Sequence, residues 1–121
     1  MTIRRDQVLL TLGSEATALV MPVGLADRVE AVLSERQRPG AVLIHPYVPE
    51  HRVFVAGEPF GVPLPWPPTV QVATGTLPLP PSTTPRGPVA WHCLPDDHAL
   101  RMCREIDISA AVRAVLHPRH G

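Results

Sequence analysis

The stretch Gly75–Trp91, "GTLPLPPSTTPRGPVAW", decides how the chain is read. Five of its seventeen residues are proline, and it ends on a tryptophan. It admits three readings: a disordered linker, a proline-rich ligand for another protein, or a stiff corner between two strands of a folded core. Pro78 to Pro81 and Pro85 to Pro88 both carry the P-x-x-P spacing of polyproline ligands. The flanks oppose that reading. "TLPL" before the corner and "VAWHC" after it are strand-like, and Trp91 is a natural core anchor. The corner reading follows: Pro80-Pro81 fix an extended exit, Arg86-Gly87 make a turn, and Trp91 returns to the core. It predicts an ordered Pro80–Ser82 and a largely buried Trp91.

The rest of the chain supports a folded core around this corner. Its 121 residues amount to one domain, residues 1–121, and 45% of them are hydrophobic, above the range of intrinsic disorder. The formal net charge is zero. That balance argues against an extended grip on a phosphate backbone, which a basic excess normally supplies, and leaves room for a local patch. All 11 basic residues are arginine, and lysine and asparagine are absent, the mark of a GC-rich coding sequence. The 16 prolines partly share that origin. No apolar run reaches the roughly 18–20 residues of a membrane span, so no membrane contact is expected. The start "MTIRRDQVLL" reads as that of a mature cytoplasmic protein. Two cysteines do not make a disulfide framework, and reduced thiols are expected.

Outward from the corner, the pattern is α+β with a largely antiparallel sheet. "QVLLTL" (7–12) and "ATALVM" (16–21) flank Gly13-Ser14-Glu15 as a hairpin would. Leu25, Val29, Val32 and Leu33 recur at helical spacing, with charged Asp27, Arg28, Glu30, Glu35 and Arg36 on other faces, and Pro39-Gly40 closes that helix. "AVLIH" (41–45) and "RVFVA" (52–56) read as strands. "GEPFGVPLPWPP" (57–68) reads as an extended proline loop laid over the core. "TVQVA" (69–73) and "TLPL" (76–79) are strands, the second at an edge because Pro78 cannot donate to a ladder. After "VAWHC" (89–93) a helix opens at Pro95-Asp96-Asp97 and runs to Pro118, interrupted or kinked near Asp107, where Asp107 or Ser109 offers a cap. Ala110, Ala111, Ala114 and Val115 continue its apolar stripe.

The densest chemistry is "WHCLPDDHALRMC", with His92, Cys93, Asp96, Asp97, His98 and Cys103. A zinc set would draw on Cys93, His98 and Cys103 with one aspartate. Structural zinc sites bring closely spaced ligand pairs, and these cysteines are ten apart, so no metal and no cofactor is expected. A Cys–His nucleophile pair lacks any local signature, and no phosphate-cradling glycine loop occurs.

One family resemblance rests on Gly75, Pro80, Pro81, Ser82, Gly87 and Trp91, in that order. The stretch resembles the closing strand–loop–strand of the bacterial primase–polymerase domain of the archaeo-eukaryotic primase type. "EHRVFVAG", with His51, Val53 and Phe54, is similar to that domain's histidine-bearing strand, so the likeness covers about residues 41–93. The C-terminal "ALRMCREIDISAAVRAVL" is similar to shortened proteins of this kind in GC-rich filamentous bacteria. The family's catalysis needs strand-borne acids that hold divalent metal. Here "AVLIHP" has no acid, and Gln71 stands about where a late acid would. The resemblance therefore implies a non-catalytic remnant of the fold: an accessory or regulatory protein working through protein contacts, with Phe60, Trp66 and the arginine-bearing helices as its exposed surface. The alternative is a nucleotide or nucleic-acid binder using His51, Arg52 and Arg86, since the family's histidine contacts nucleotide phosphate.

Overall fold

The computed structural model describes residues 2–4, 7–13, 16–36, 41–57, 64–80, 82–93 and 104–117. In chain order the elements are β1 (Thr2–Arg4), β2 (Gln7–Thr11), β3 (Thr17–Pro22), α1 (Val23–Glu35), β4 (Ala41–Ile44), β5 (His51–Ala56), β6 (Gln71–Ala73), β7 (Thr76–Leu79), β8 (Thr83–Thr84), β9 (Gly87–Pro88), β10 (Ala90–Cys93) and α2 (Glu105–Leu116). This is the expected α+β class with two helices and antiparallel pairing throughout the named strands.

A five-stranded sheet in the order β10-β4-β5-β3-β6 forms the middle of the molecule. β5 lies antiparallel to both β3 and β4, so β3–α1–β4 is a split βαβ unit with β5 inserted between its parallel strands. Side chains alternate across this sheet as the pleat requires. Leu19, Met21, Val42, Phe54 and Ala56 face one core with Ala26, Val29 and Leu33 of α1 and Ile108, Ala111, Val112 and Val115 of α2. Ala18, Ala41, Leu43, Val53 and Val55 face a second core with Leu10, Leu77, Leu79 and Val89. Leu10, Leu77 and Leu79 come from a second sheet, β1-β2-β7. The central sheet is covered on both faces, and that explains why "ATALVM", "AVLI" and "VFVA" are nearly unbroken apolar runs.

The structure corrects one pairing and some details of the second helix. β2 and β3 are not a hairpin. β2 pairs with β1 and β7, β3 pairs with β5 and β6, and only a parallel bridge between Leu12 and Ala16 links the two runs. Gly13, at φ 94°, turns the chain from one layer into the next. The break expected near Asp107 falls three residues earlier, at the extended Arg104, and α2 starts at Glu105. Its cap position is Arg104 rather than Asp107 or Ser109, with the Arg104 guanidinium forked onto the Asp107 carboxylate at 3.1 and 3.2 Å. The proposed opening at Pro95–Asp97 lies outside the described residues. Its buried stripe is Ile108, Ala111, Val112 and Val115, with Ala110 exposed, because α2 packs against both the sheet and α1.

The Gly75–Trp91 stretch is a corner. β7 is an edge strand paired only with β2, where Pro78 stands opposite Leu9. Ser82 is fully buried, and its hydroxyl accepts the Val8 N–H at 2.8 Å and donates to the Val8 carbonyl at 3.2 Å. The two-rung β8–β9 hairpin then turns through Pro85-Arg86, and β10 joins the central sheet beside β4. Pro81 lies outside the described residues. Trp91 is only half-buried against the second core, because β10 is an edge strand and the second sheet reaches it incompletely.

Candidate functional site

Two surfaces gather chemically capable side chains. The first surrounds α2. Pro65, Trp66 and Pro67 lie along Val112, Arg113, Leu116 and His117 and enclose a groove of about 320 Å³. On the other flank of the same helix, Arg36 from the end of α1 joins Ala110, Arg113, Ala114 and His117 around a cleft of about 620 Å³. Arg113 and His117 border both. The floor is apolar: Trp66 is half-buried against the helix-side core, and Leu116 is 39% exposed. The rim is cationic, with Arg36 and Arg113 charged beside His117, and no acid lines either groove among the described residues. Trp66 reaches this position because Val70 N–H bonds the Pro67 carbonyl and Trp66 N–H bonds the Leu64 carbonyl, which folds the proline segment back over the helix end. Phe60, the other expected contact residue, lies outside the described residues.

The second surface is the end of the central sheet where β4 turns into β5. His51 opens β5 opposite Pro22 and is half-buried. Its backbone N–H closes the turn on the Val48 carbonyl. Arg52 follows it and therefore projects to the opposite face, the one it shares with Phe54. The Arg52 Nε is buried without a hydrogen-bond partner, and one Nη reaches the His51 carbonyl at 3.5 Å. Arg86, at the β8–β9 turn, stacks on Tyr47 with its guanidinium carbon 5.0 Å from the ring centroid. His45 meets the same ring at 5.6 Å, and burial holds its pKa below the ordinary value. Thr84 positions Arg86 by accepting its backbone N–H at 3.2 Å. His51, Arg52 and Arg86 thus share one end of the sheet, but the first two point to different faces of it.

The zinc set weighed and set aside from the sequence, Cys93, His98 and Cys103, cannot be placed, since His98, Cys103 and the Cys93 side chain lie outside the described residues. His92 is described, and it does not face along the chain. Its Nδ1 lies 2.9 Å from Glu30 Oε1 of α1. Gln71 is exposed on edge strand β6. No helix among the described residues is long and apolar enough to cross a membrane.

Sequence reasoning named Trp66, Arg86 and the arginine-bearing helices, and did not single out Tyr47, Leu116 or His117. Leu116 was the one with a signal: it falls off the Ile108–Val115 stripe and is a large apolar side chain that the core does not take. In comparisons with family models, curated proteins and solved structures, none matches this chain.

Proposed function

We propose that this chain is a non-catalytic accessory or regulatory protein, a shortened scaffold of the primase–polymerase type, that holds a partner protein in the groove between Trp66 and α2. One observation carries the reading: the proline segment and the arginine-bearing helix, separate in sequence, line one surface with an apolar floor and a cationic rim. Tryptophan and arginine side by side are the residues on which binding energy concentrates in protein interfaces. The occupant that fits is an acidic amphipathic segment, with an apolar side chain set against Trp66 and Leu116 and carboxylates reaching Arg36 and Arg113. The ordered corner at buried Ser82, the lack of acids on β4 and the neutral Gln71 support a scaffold without phosphoryl-transfer chemistry.

Panning a displayed peptide library against the intact chain tests this. Enriched sequences should combine one or two large apolar residues with aspartate or glutamate, and their binding should weaken as salt rises. Leu116→Glu should abolish it, and Arg113→Glu should weaken it at least about tenfold, a little over 1.4 kcal/mol. Enrichment without acidic bias, or binding that both variants leave intact, would overturn the assignment.

A second reading is favoured by the unpartnered Arg52 Nε, because a buried N–H without an acceptor costs about 1–3 kcal/mol unless something supplies one. A nucleotide or single-stranded nucleic-acid phosphate at the sheet end would do so, with Arg86 and Tyr47 at its edge. Thermal unfolding with ATP, GTP or a short oligonucleotide at low salt decides it. The expected result is a rise in Tm that Arg52→Met and Arg86→Ala reduce; no rise with any of the three removes the reading.

A further inference from the structure

We propose that Asp27, Glu30 and His92 form a binding site for a divalent transition-metal ion, with zinc the preferred occupant. Each offers one ligand atom, and these atoms all lie within 4.8 Å of one another. The closest pair, His92 Nδ1 and Glu30 Oε1, is 2.9 Å apart. Ligands of a tetrahedral zinc ion, with bonds of about 2.0–2.1 Å, stand roughly 3.3 Å from each other.

The elements that build the triad argue for more than a surface ion pair. Asp27 and Glu30 stand at i and i+3 on α1, on the flank beside the buried Ala26–Val29–Leu33 stripe. Like charges so placed on a helix repel. An ion pair would need only Glu30 and His92, and Asp27 has no hydrogen-bond or ionic partner among the described residues. Two carboxylates bring two negative charges to this small cluster, and a divalent ion supplies the two positive charges that balance them.

The strand contributes a second, independent feature. The β10–β4 register slips between Trp91 and Cys93, so His92 is the extra residue of a bulge with no partner on β4. Bulges re-aim a side chain and are common beside functional sites. Here the bulge leaves His92 facing α1, on the helix side of an edge strand. The mixed imidazole and carboxylate set suits zinc or manganese better than the all-oxygen surroundings that magnesium and calcium prefer, and zinc binds more tightly than manganese at such nitrogen-bearing sites. Three protein ligands leave at least one coordination position open to water or to a group from outside.

Zinc titration of the intact chain against a chromophoric chelator at neutral pH tests the site. One equivalent should bind, and Asp27→Asn, Glu30→Gln and His92→Ala should each weaken it at least about tenfold, the loss that removing even an outer partner of a metal ligand causes. Asp27→Asn is the decisive variant, because it leaves the His92–Glu30 contact in place, and circular dichroism should show it folded as the parent. The Cys93→Ser/Cys103→Ser double variant should bind zinc unchanged, and the cobalt-loaded protein should lack a thiolate-to-metal charge-transfer band. Failure to take up zinc at large molar excess, uptake of magnesium instead, uptake that Asp27→Asn leaves unaltered, or uptake that the cysteine variant abolishes would each overturn the proposal.

Discussion

Phe54→Ala is expected to destabilise the chain by about 3–5 kcal/mol, the range for truncating a fully buried phenylalanine. Phe54 is completely inaccessible at the centre of β5. It stands opposite Leu19 on β3 and Val42 on β4, and both share its core with α1 and α2. Its ring is thus the middle of the surface on which both helices rest. Neither helix can close the cavity without losing its own contacts, so relaxation will recover little. Domains of this size have about 5–15 kcal/mol in total. The loss corresponds to a fall of roughly 10–20 °C in Tm and a lowered urea midpoint with little change in slope. Phe54→Leu, which keeps most of the volume, should lose much less. A Phe54→Ala variant within about 1 kcal/mol of the parent would mean that α2 does not seal this face in solution. The groove beside Trp66 would then lose its floor.

Short-range patterns in the sequence were enough for most of the elements and not for their layers. α1 followed from the Leu25–Leu33 spacing and β4 and β5 from β-branched and aromatic runs, whereas β1 and the two-residue β8 and β9 carried no such signal. The partners of β2 were another matter. Residues 13–15 look like a hairpin turn in any local window, and the strand that β2 joins, β7, lies more than sixty residues further on. A signal was present in the runs themselves. A hairpin with one wet face alternates apolar and polar residues, and "ATALVM" does not alternate. A strand apolar on both sides must sit between two covers, which places β2 and β3 in different layers. α2 shows the same limit on a smaller scale. Asp107 has the chemistry of a cap, yet Arg104 holds its carboxylate one turn inside the helix. The candidate sites are legible only as ingredients. Asp27 and Glu30 read as a solvated helix face and His92 as part of a cluster along the chain, because nothing within ten residues of His92 reports that α1 packs beside β10. Trp66 stood out as an aromatic in the proline loop, but the groove it lines depended on where a helix some forty residues later comes to rest.

Ser82→Ala is expected to cost about 2–4 kcal/mol, far more than a serine in a proline-rich stretch normally would. β7 stops pairing at Leu79, opposite Val8. Beyond that point the Ser82 hydroxyl takes the place of the next backbone rung, bonding both the N–H and the carbonyl of Val8. Alanine leaves both of these groups without a protein partner, at about 1–3 kcal/mol each where water cannot reach, and Val8 is only half-buried, so the sum falls short of the maximum. The backbone of Ser82 also receives the Val89 N–H at 3.0 Å and donates to Leu79 at 2.9 Å, so the same residue ties the corner to the approach of β10. Thr83→Ala, at an exposed neighbour, should stay within about 0.5 kcal/mol. Amide exchange separates two accounts of the corner. If the hydroxyl holds it, Ser82→Ala speeds exchange at Val8 and Val89 together while amides of β5 keep their protection relative to global stability. If the prolines alone set the path, Ser82→Ala unfolds within about 0.5 kcal/mol of the parent and Val8 exchanges as before. The first result is expected, because prolines can fix the direction in which the chain leaves β7 but supply no donor to bond the Val8 carbonyl.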